Sequence, residues 1–241
     1  MRSALAFLTP LGGARAPSSR ALGWFPVVGA ALGGLLGLAW WGSEKAWPAA
    51  VAAALVVAAD LALTGMLHLD GLLDSADGLL PHLERGRRLE VMRDHSVGAF
   101  GMAAGGSVLL LRWSALSVTR PSVLLLVGIW AVSRAAMAVA AVVMPYAREA
   151  SGGGIATAFL EGRSAAVAGA TAGVIGLAGG LACLIAWRPG PGAVVLCSEL
   201  VVALAVLWFA GRRIGGFTGD VLGAMGMIAE TVALVVAAAK W

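Results

Sequence analysis

Charged side chains are scarce in this sequence. Only 12% of its 241 residues are charged and 60% are hydrophobic, whereas soluble domains usually carry about 25% charged residues. A soluble fold of this length needs more polar surface, and disordered chains are polar and poor in apolar residues. Both classes are therefore excluded, and the composition indicates an integral membrane protein with several membrane-spanning helices.

Cysteines are few, and continuous basic stretches are lacking. The two cysteines, Cys183 and Cys197, both lie within apolar runs, and their spacing fits neither a metal site nor a disulfide framework. The 17 lysines and arginines give a net charge of +4 and are scattered between apolar segments, which is typical of membrane-protein loops. Because they form no basic stripe, a nucleic-acid partner is not expected.

Seven apolar segments have the length of about 20 residues that a membrane-spanning helix needs. They are 23–42, 46–66, 99–118, 122–144, 164–187, 191–210 and 219–239. Neither an internal repeat nor a long linker divides the chain. We therefore predict an all-α, polytopic bundle of about seven transmembrane helices that forms one domain over residues 1–241, with the lipid bilayer as its partner.

The distribution of lysine and arginine predicts the orientation of the bundle. The N-terminal segment and every second segment after it (67–98, 145–163 and 211–218) hold eleven of these residues, against four in the other segments outside the spans. Basic residues favour the cytoplasmic side of a membrane. The N-terminus and these three segments are therefore expected on the cytoplasmic side.

Nearly half of the acidic residues lie in one stretch of the chain. Six of the 13 aspartates and glutamates fall between His68 and Ser96. On a helix, Asp70, Asp74 and Asp77 have the spacing i, i+4 and i+7, which places them on one face. Three carboxylates on one face repel each other, and a divalent cation with hard oxygen ligands removes this conflict. We therefore predict a metal site at these three aspartates.

A second acidic pair follows in the same stretch. Glu90 and Asp94 are spaced for one helical face, and Pro81 is expected to break the chain before them. Two helical segments would then face each other across the metal, with Asp94 as a fourth ligand. The alternative, which fits Glu84 best, is a solvated segment whose acids pair with nearby arginines. These arginines are Arg85, Arg87, Arg88 and Arg93.

Several motifs in the chain resemble those of a known family. The sequence reads HLDGLLDSADGL at 68–79, LEVMRDHSVGAFG at 89–101, PYAR at 145–148 and GGFTGDVLGA at 215–224. In this order, and over most of the chain, these motifs closely resemble those of the cobalamin synthase family, the adenosylcobinamide-GDP ribazoletransferases.

The chain departs from the family pattern in two places. Where the family usually reads Lys-Asp-Ser-Arg, this chain has Arg-Asp-His-Ser at 93–96. The aspartate is kept, but the basic residue two positions beyond it is missing, so we carry over no phosphate-binding role to position 96. The motif near the N-terminus, FLTPLGG at 7–13, also lacks the arginine and proline pair typical of the family.

The resemblance implies an activity, a cofactor and a location. Members of this family join adenosylcobinamide-GDP to α-ribazole or its 5′-phosphate and release GMP, late in cobalamin biosynthesis, in the prokaryotic plasma (inner) membrane. A ribose hydroxyl attacks a pyrophosphate phosphorus, which requires neutralised phosphate charge and a base near the nucleophile. We therefore expect Mg²⁺ held by Asp70, Asp74, Asp77 and Asp94, at a site that faces the cytoplasm. Asp94 is also the expected catalytic base, and the two roles of this carboxylate remain open.

Other polar residues are expected to contact the substrates. Arg134 lies inside a predicted span, where charges are costly and usually functional, and it is expected to bind phosphate oxygens together with Arg148. The alternative for Arg134 is a structural ion pair with Asp60 or Glu199. The expected substrate-binding residues are His68, Glu90, Arg93, Arg134, Arg148, Gly216 and Asp220. For Gly216 and Asp220, the alternative is a loop glycine and a simple helix cap.

Three rival functions are considered. The sequence Asp74-x-x-Asp77-Gly78 is similar to the start of the motif in CDP-alcohol phosphotransferases, but the spacing that follows is shorter here. Polyprenyl transferases use two separate acid-rich motifs, whereas this chain has one dense cluster. Ion transporters place their acids at mid-membrane on broken helices, whereas this cluster is predicted at the wet end of a span.

Overall fold

The computed structural model describes residues 1–10, 13, 18–94, 96–148 and 163–241. Within these residues every regular element is a helix, and a short 3-10 helix, Ser19–Trp24, precedes α2. The α-helices in chain order are α1 Arg2–Leu8, α2 Phe25–Ser43, α3 Ala49–Leu63, α4 Leu67–Leu79, α5 Arg85–Val91, α6 Ala99–Val118, α7 Val123–Val143, α8 Arg163–Trp187, α9 Pro189–Ile214 and α10 Gly219–Ala237. The predicted all-α class is confirmed.

Six helices are long and apolar enough to cross a membrane. They are the continuous stretch Ser19–Ser43, which includes α2, together with α6, α7, Ser164–Trp187 of α8, α9 and α10. Helices α3 and α4 pass the same test only as a pair, which is bent by 87°. The bundle therefore has six candidate spans, or seven if the bent pair crosses as one, in agreement with the expected number of about seven. The cytoplasmic N-terminus stays a prediction.

The second predicted span, 46–66, is the one that the structure changes. Helix α3 ends at Leu63, and the next residues turn the chain sharply, because Gly65 and Met66 have φ angles of 58° and 60°. Two successive left-handed residues cannot continue a right-handed helix, and this conformation is uncommon outside glycine. The Thr64 hydroxyl donates to the Asp60 carbonyl oxygen at 2.7 Å and so satisfies the end of α3. The acidic motif therefore lies on a short separate helix, α4.

Glycines allow the helices at the centre of the bundle to approach closely. Gly29 and Gly33 of α2 are four residues apart and lie against the carbonyl groups of Trp130 and Leu126 on α7, where a Cβ atom would collide with the carbonyl oxygen. Small residues at this spacing are typical of close helix contacts in lipid. Helix α7 packs between α2 and α8 and also contacts α9 and α10, so it forms the centre of the bundle.

Candidate active site

Helix α4 packs against the first turn of α10. We call Asp70, Asp74 and Asp77 of α4 the acid face. Gly71 lies against the backbone of Asp220, and a Cβ atom at Gly71 would be only 2.7 Å from the Asp220 carbonyl oxygen. This glycine allows the approach that brings Asp220 within electrostatic range of Asp74, which also interacts with Asp70 and Asp77. Four carboxylates from two helices are therefore close to one another.

Asp77 holds the start of helix α6. Its Oδ2 atom accepts a hydrogen bond from the Gly98 backbone N–H at 2.7 Å, and its Oδ1 atom accepts one from Gly101 at 2.9 Å. A carboxylate at a helix N-terminus satisfies N–H groups that have no partner inside the helix, and the helix dipole favours its negative charge. Asp77 therefore fixes α6 against α4. Each oxygen retains a further lone pair, and metal binding by Asp77 stays a prediction.

Two of the motifs that carry the family resemblance meet in a short backbone pairing. Tyr146 and Phe217 form a parallel bridge. The Ala147 N–H donates to the Phe217 carbonyl at 2.9 Å, and the Phe217 N–H donates to the Pro145 carbonyl at 3.0 Å. Gly216 lies so close to the Pro145 carbonyl that a Cβ atom would collide with its oxygen. A close backbone approach therefore explains the glycine at 216, while substrate contact by Gly216 stays a prediction.

The backbone pairing of Tyr146 with Phe217 brings Arg148 within hydrogen-bonding distance of Asp220. The Arg148 Nη2 atom donates to Asp220 Oδ2 at 2.7 Å and to the Met92 carbonyl oxygen at 3.2 Å. The Thr218 hydroxyl also donates to Asp220 Oδ2 at 3.2 Å, and it caps α10 by accepting the Val221 N–H at 3.2 Å. Two of the predicted substrate-binding residues, Arg148 and Asp220, are thus brought together beside the acid face.

The second acidic pair does not lie on one helix. Glu90 forms a 2.9 Å ion pair with Arg87, and both side chains are 64% exposed. Helix α5 ends at Val91, so Asp94 lies in the turn that follows. The prediction that Glu90 and Asp94 share a helical face is therefore wrong, and the solvated alternative describes Glu90.

The turn after α5 is stabilised by Asp94 itself. The Asp94 Oδ1 atom accepts the backbone N–H of Ser96 at 3.0 Å, a local hydrogen bond that competes with helix formation. Asp94 and the neighbouring Arg93 are both exposed, and His95 lies outside the described residues. The predicted roles of both residues stay predictions.

A buried ion network connects four helices in the interior of the bundle. Arg112 of α6, which is 2% exposed, forms 2.6 Å ion pairs with Asp60 of α3 and Glu230 of α10. The same guanidinium donates to the Thr231 hydroxyl at 2.8 Å and to the Met227 carbonyl at 3.0 Å. The Arg112 guanidinium therefore forms its hydrogen bonds with groups inside the protein, and Asp60 is a structural partner of Arg112.

Arg134 of α7 joins this network from the other side. It is 1% exposed, forms an ion pair with Glu230, and places Nη2 at 3.3 Å from Nδ1 of His68. The expected alternative, a structural ion pair, is thus present, with Glu230 in place of Asp60 or Glu199. The carboxyl oxygens of Glu199 are buried and have no hydrogen-bond partner in the described part of the chain. Phosphate binding by Arg134 and substrate binding by His68 stay predictions.

Comparisons with known proteins identify the family. A family model described as cobalamin-5-phosphate synthase matches residues 1–238. The chain belongs to this family. A protein named adenosylcobinamide-GDP ribazoletransferase from Chlorobaculum parvum is 39% identical over 228 residues, which cover 92% of this chain and 87% of the relative. Proteins of the same name from Deinococcus radiodurans and Roseiflexus sp. are 37% and 36% identical, and each alignment covers 96% of this chain and 82% or 86% of the relative. No solved structure matches.

The acid face of this cobalamin-5-phosphate synthase family member carries carboxylate oxygens, which are the type of ligand that Mg²⁺ prefers. In the described residues, no group of three or more His, Cys, Asp or Glu side chains is arranged so that it could hold a metal ion. Mg²⁺, however, keeps several waters and is commonly bound by one or two carboxylates together with substrate phosphates. Asp70 and Asp74 supply hard oxygen atoms of this kind, and both are partly or fully exposed. The donor set therefore fits Mg²⁺ shared with a phosphate substrate.

Sequence reasoning missed two buried arginines of this family member. Arg112 lies within the predicted span 99–118, where an arginine requires a partner, but no local pattern in the sequence identifies Asp60 and Glu230 as its partners. Arg88 was grouped with the solvated arginines of its segment, yet it is 4% exposed. Its neighbours Arg85 and Arg87 are exposed, and no sequence signal distinguishes it from them.

Proposed function

We propose that this protein is an integral membrane adenosylcobinamide-GDP ribazoletransferase that makes adenosylcobalamin, or its 5′-phosphate, from adenosylcobinamide-GDP and α-ribazole or its 5′-phosphate. One structural observation supports a location for the active site. The acid face of α4, the Arg148–Asp220 pair and the turn with Asp94 lie on elements that contact each other, through Gly71 against Asp220 and Arg148 against Met92. These are the same motifs that carry the family resemblance.

The proposed reaction exchanges one phosphorus–oxygen bond for another. A ribose hydroxyl of α-ribazole attacks the phosphorus that carries the corrinoid, a new P–O bond forms, and the pyrophosphate P–O bond breaks to release GMP. The hydroxyl proton passes to a base, and the bridging oxygen leaves with the GMP phosphate. Such a transfer depends mainly on positioning and on neutralising the phosphate charge.

Asp70 and Asp74 are the proposed main ligands of Mg²⁺, with Asp77 and Asp94 as further candidates. When bound, the ion would neutralise the charge on the pyrophosphate. Asp77 also fixes α6 through both oxygens, and so keeps α4 in position for its neighbours. We propose that Arg148, whose side chain is 19% exposed and paired with Asp220, contacts a phosphate oxygen at the edge of the site.

Asp94 is the proposed base, and metal binding is the competing role. Its side chain is exposed, and Val97 and Gly98 follow it in the chain. A base within hydrogen-bonding reach of the nucleophile typically contributes about 10²–10⁴-fold. We expect Asp94→Asn to reduce turnover by about that factor. Mg²⁺ dependence separates the two roles, because raising Mg²⁺ would restore turnover only if Asp94 acts chiefly as a ligand.

We further propose that the protein resides in the prokaryotic plasma membrane, with the acid face towards the cytoplasm. The basic residues are concentrated on that side of the chain, as expected for cytoplasmic loops. A nucleotide-linked substrate and GMP would then be exchanged with the cytoplasm.

The decisive experiment measures GMP release by the purified protein in detergent or nanodiscs. We expect GMP and a corrinoid product to appear in equal amounts when adenosylcobinamide-GDP and α-ribazole are supplied together with Mg²⁺. A CDP-alcohol phosphotransferase would instead release CMP from a CDP-alcohol, and an ion transporter would release neither nucleotide. Either of those results, without GMP release, overturns the proposal.

A further inference from the structure

Arg88 is a buried arginine at the end of helix α4. It is 4% exposed, and its Nη1 atom donates to the carbonyl oxygens of Gly78 and Leu79 at 2.9 Å and 2.8 Å. These carbonyl groups lie at the C-terminus of α4, where the helix dipole favours a cation. The contacts explain why the side chain points inward, but they supply no negative ion.

Two further arginines lie on the same side of the protein. The guanidinium of Arg85, three residues before Arg88 on α5, lies against Gly215, where a Cβ atom would be 3.1 Å from its Cζ atom. Arg213, at the end of α9, packs its guanidinium 5.0 Å from the ring centre of Phe209. Burial and the nearby Arg213 guanidinium lower the pKa of Arg88. The three arginines are therefore linked in two steps: Arg213 is within electrostatic range of Arg88, and the Arg85 guanidinium lies against Gly215, two residues beyond Arg213.

This group has no counter-ion within the described part of the chain. The ion pairs found there involve Arg87, Arg112, Arg134 and Arg148, and none of them involves Arg85, Arg88 or Arg213. Like charges held together, one of them buried, are costly unless an anion joins them. On the same helix, Arg87 points away and is paired with Glu90, so the missing counter-ion is specific to one face of α5.

We propose that Arg85, Arg88 and Arg213 form a binding site for a phosphate anion. Guanidinium groups match phosphate oxygens with paired, charge-assisted hydrogen bonds. None of the three arginines contacts the acid face in the hydrogen bonds and ion pairs of the described residues, and Gly215, which contacts Arg85, begins the motif that leads to Asp220. The site itself is inferred from charge and geometry, and only its assignment to a guanosine nucleotide rests on the proposed function. The phosphate belongs either to a guanosine nucleotide or to an anionic lipid headgroup.

The test compares three arginine-to-glutamine variants in the full-length protein. Arg85→Gln and Arg213→Gln remove members of the site. Arg87→Gln is the control, with the same charge change as both and on the same helix as Arg85. Arg88→Gln is avoided because it also removes the contacts at the end of α4. Binding of GMP and of inorganic phosphate is measured by isothermal titration calorimetry in detergent. Stabilisation by phosphatidylglycerol relative to phosphatidylcholine is measured in nanodiscs by thermal unfolding.

We expect Arg85→Gln and Arg213→Gln each to weaken phosphate binding by about tenfold or more, while Arg87→Gln binds as the parent protein does. Loss of GMP binding assigns the site to the nucleotide, and selective loss of stabilisation by phosphatidylglycerol assigns it to lipid. Equal effects of all three variants, or no effect on any probe, overturn the site. GMP release is scored separately, so a protein that turns over normally but fails this test refutes the phosphate site and leaves the proposed function standing.

Discussion

The Arg148 guanidinium donates to Asp220 Oδ2 at 2.7 Å and thereby joins residues that are 72 positions apart in the chain. The same Nη2 atom donates to the Met92 carbonyl oxygen at 3.2 Å. One side chain thus connects the turn after α5, the loop after α7 and the first turn of α10. Because Asp220 is also within electrostatic range of Asp74, this arginine connects the acid face with the other parts of the candidate site.

We expect Arg148→Lys to reduce GMP release by about tenfold or more, because lysine keeps the charge but cannot reproduce the planar guanidinium contacts. Arg120→Lys, an exposed arginine beyond the end of α6, is the control for an arginine-to-lysine change. Steady-state GMP release at saturating substrates provides the measurement. Equal turnover of Arg148→Lys and Arg120→Lys would show that the contacts with Asp220 and Met92 do not matter for catalysis.

Asp74→Asn tests the metal proposal directly. A neutral amide is a weaker ligand for a hard cation, so we expect GMP release to fall by about 100-fold or more and the residual activity to require higher Mg²⁺. Glu84→Gln, an exposed acid just before α5, should change neither property. The measurement is GMP release over a Mg²⁺ titration. Near-normal turnover of Asp74→Asn at low Mg²⁺ would remove Asp74 from the metal site.

Asp77→Asn should destabilise the protein as well as reduce turnover. Asp77 accepts hydrogen bonds from the backbone N–H groups of Gly98 and Gly101 through its two oxygens. Asparagine has only one acceptor oxygen, so its NH₂ group would face one of these N–H donors and that hydrogen bond would be lost. Loss of such a helix cap costs about 1–2 kcal/mol. Thermal unfolding in detergent, compared with Asp74→Asn, provides the measurement. If both variants unfold at the parent temperature, the capping role of Asp77 carries no measurable stability.

Much of the fold could be predicted because apolar length is a direct signal of a membrane helix. The predicted span 99–118 coincides with α6, and 122–144 differs from α7 by one residue at each end. The bend between α3 and α4 could not be predicted, because Met66 is not a residue that favours a left-handed conformation. Its conformation is fixed by the surrounding structure rather than by a local preference.

The acidic residues of the candidate site could be predicted from the sequence, whereas the hydrogen bonds and ion pairs that join them to distant segments could not. The acids of α4 stood out because three carboxylates with helical spacing are unfavourable without a partner. The capping contacts of Asp77 and the pairing of Arg148 with Asp220 depend on how distant segments pack, which no local pattern encodes. The Arg134–Glu230 pair was missed for the same reason, since Asp60 and Glu199 were equally plausible partners in sequence.

The orientation of the bundle can be tested with single cysteines in a background that lacks Cys183 and Cys197. Gly86 and Gly190 are exposed and have open space around the position of a Cβ atom, and the candidate spans α6, α7 and α8 lie between them. We expect an impermeant maleimide added to intact cells to label Gly190→Cys but not Gly86→Cys. The reverse pattern would place the acid face outside the cell.

A third cysteine tests whether the bent α3–α4 pair crosses the membrane. Ser18 is exposed just before the first candidate span. If the pair crosses as one span, Ser18→Cys lies on the same side as Gly86→Cys, and both are protected in intact cells. Labelling of Ser18→Cys together with Gly190→Cys would mean six spans and an external N-terminus, contrary to our prediction.

The buried ion network predicts that two glutamate-to-glutamine substitutions, at Glu230 and at Glu90, differ strongly in their effect on the unfolding temperature. Glu230→Gln leaves Arg112 and Arg134 without a shared carboxylate in a region where all three side chains are at most 3% exposed. Removing one partner of a buried ion pair costs about 3–5 kcal/mol, because the remaining charge stays desolvated. Glu90→Gln breaks the pair with Arg87, whose side chains are 64% exposed, and such a surface pair contributes only about 0–1 kcal/mol. We therefore expect Glu230→Gln to unfold at a clearly lower temperature in detergent and Glu90→Gln to unfold with the parent protein. Equal unfolding temperatures for the two variants would mean that water reaches Arg112 and Arg134 and that the network does not hold the helices together.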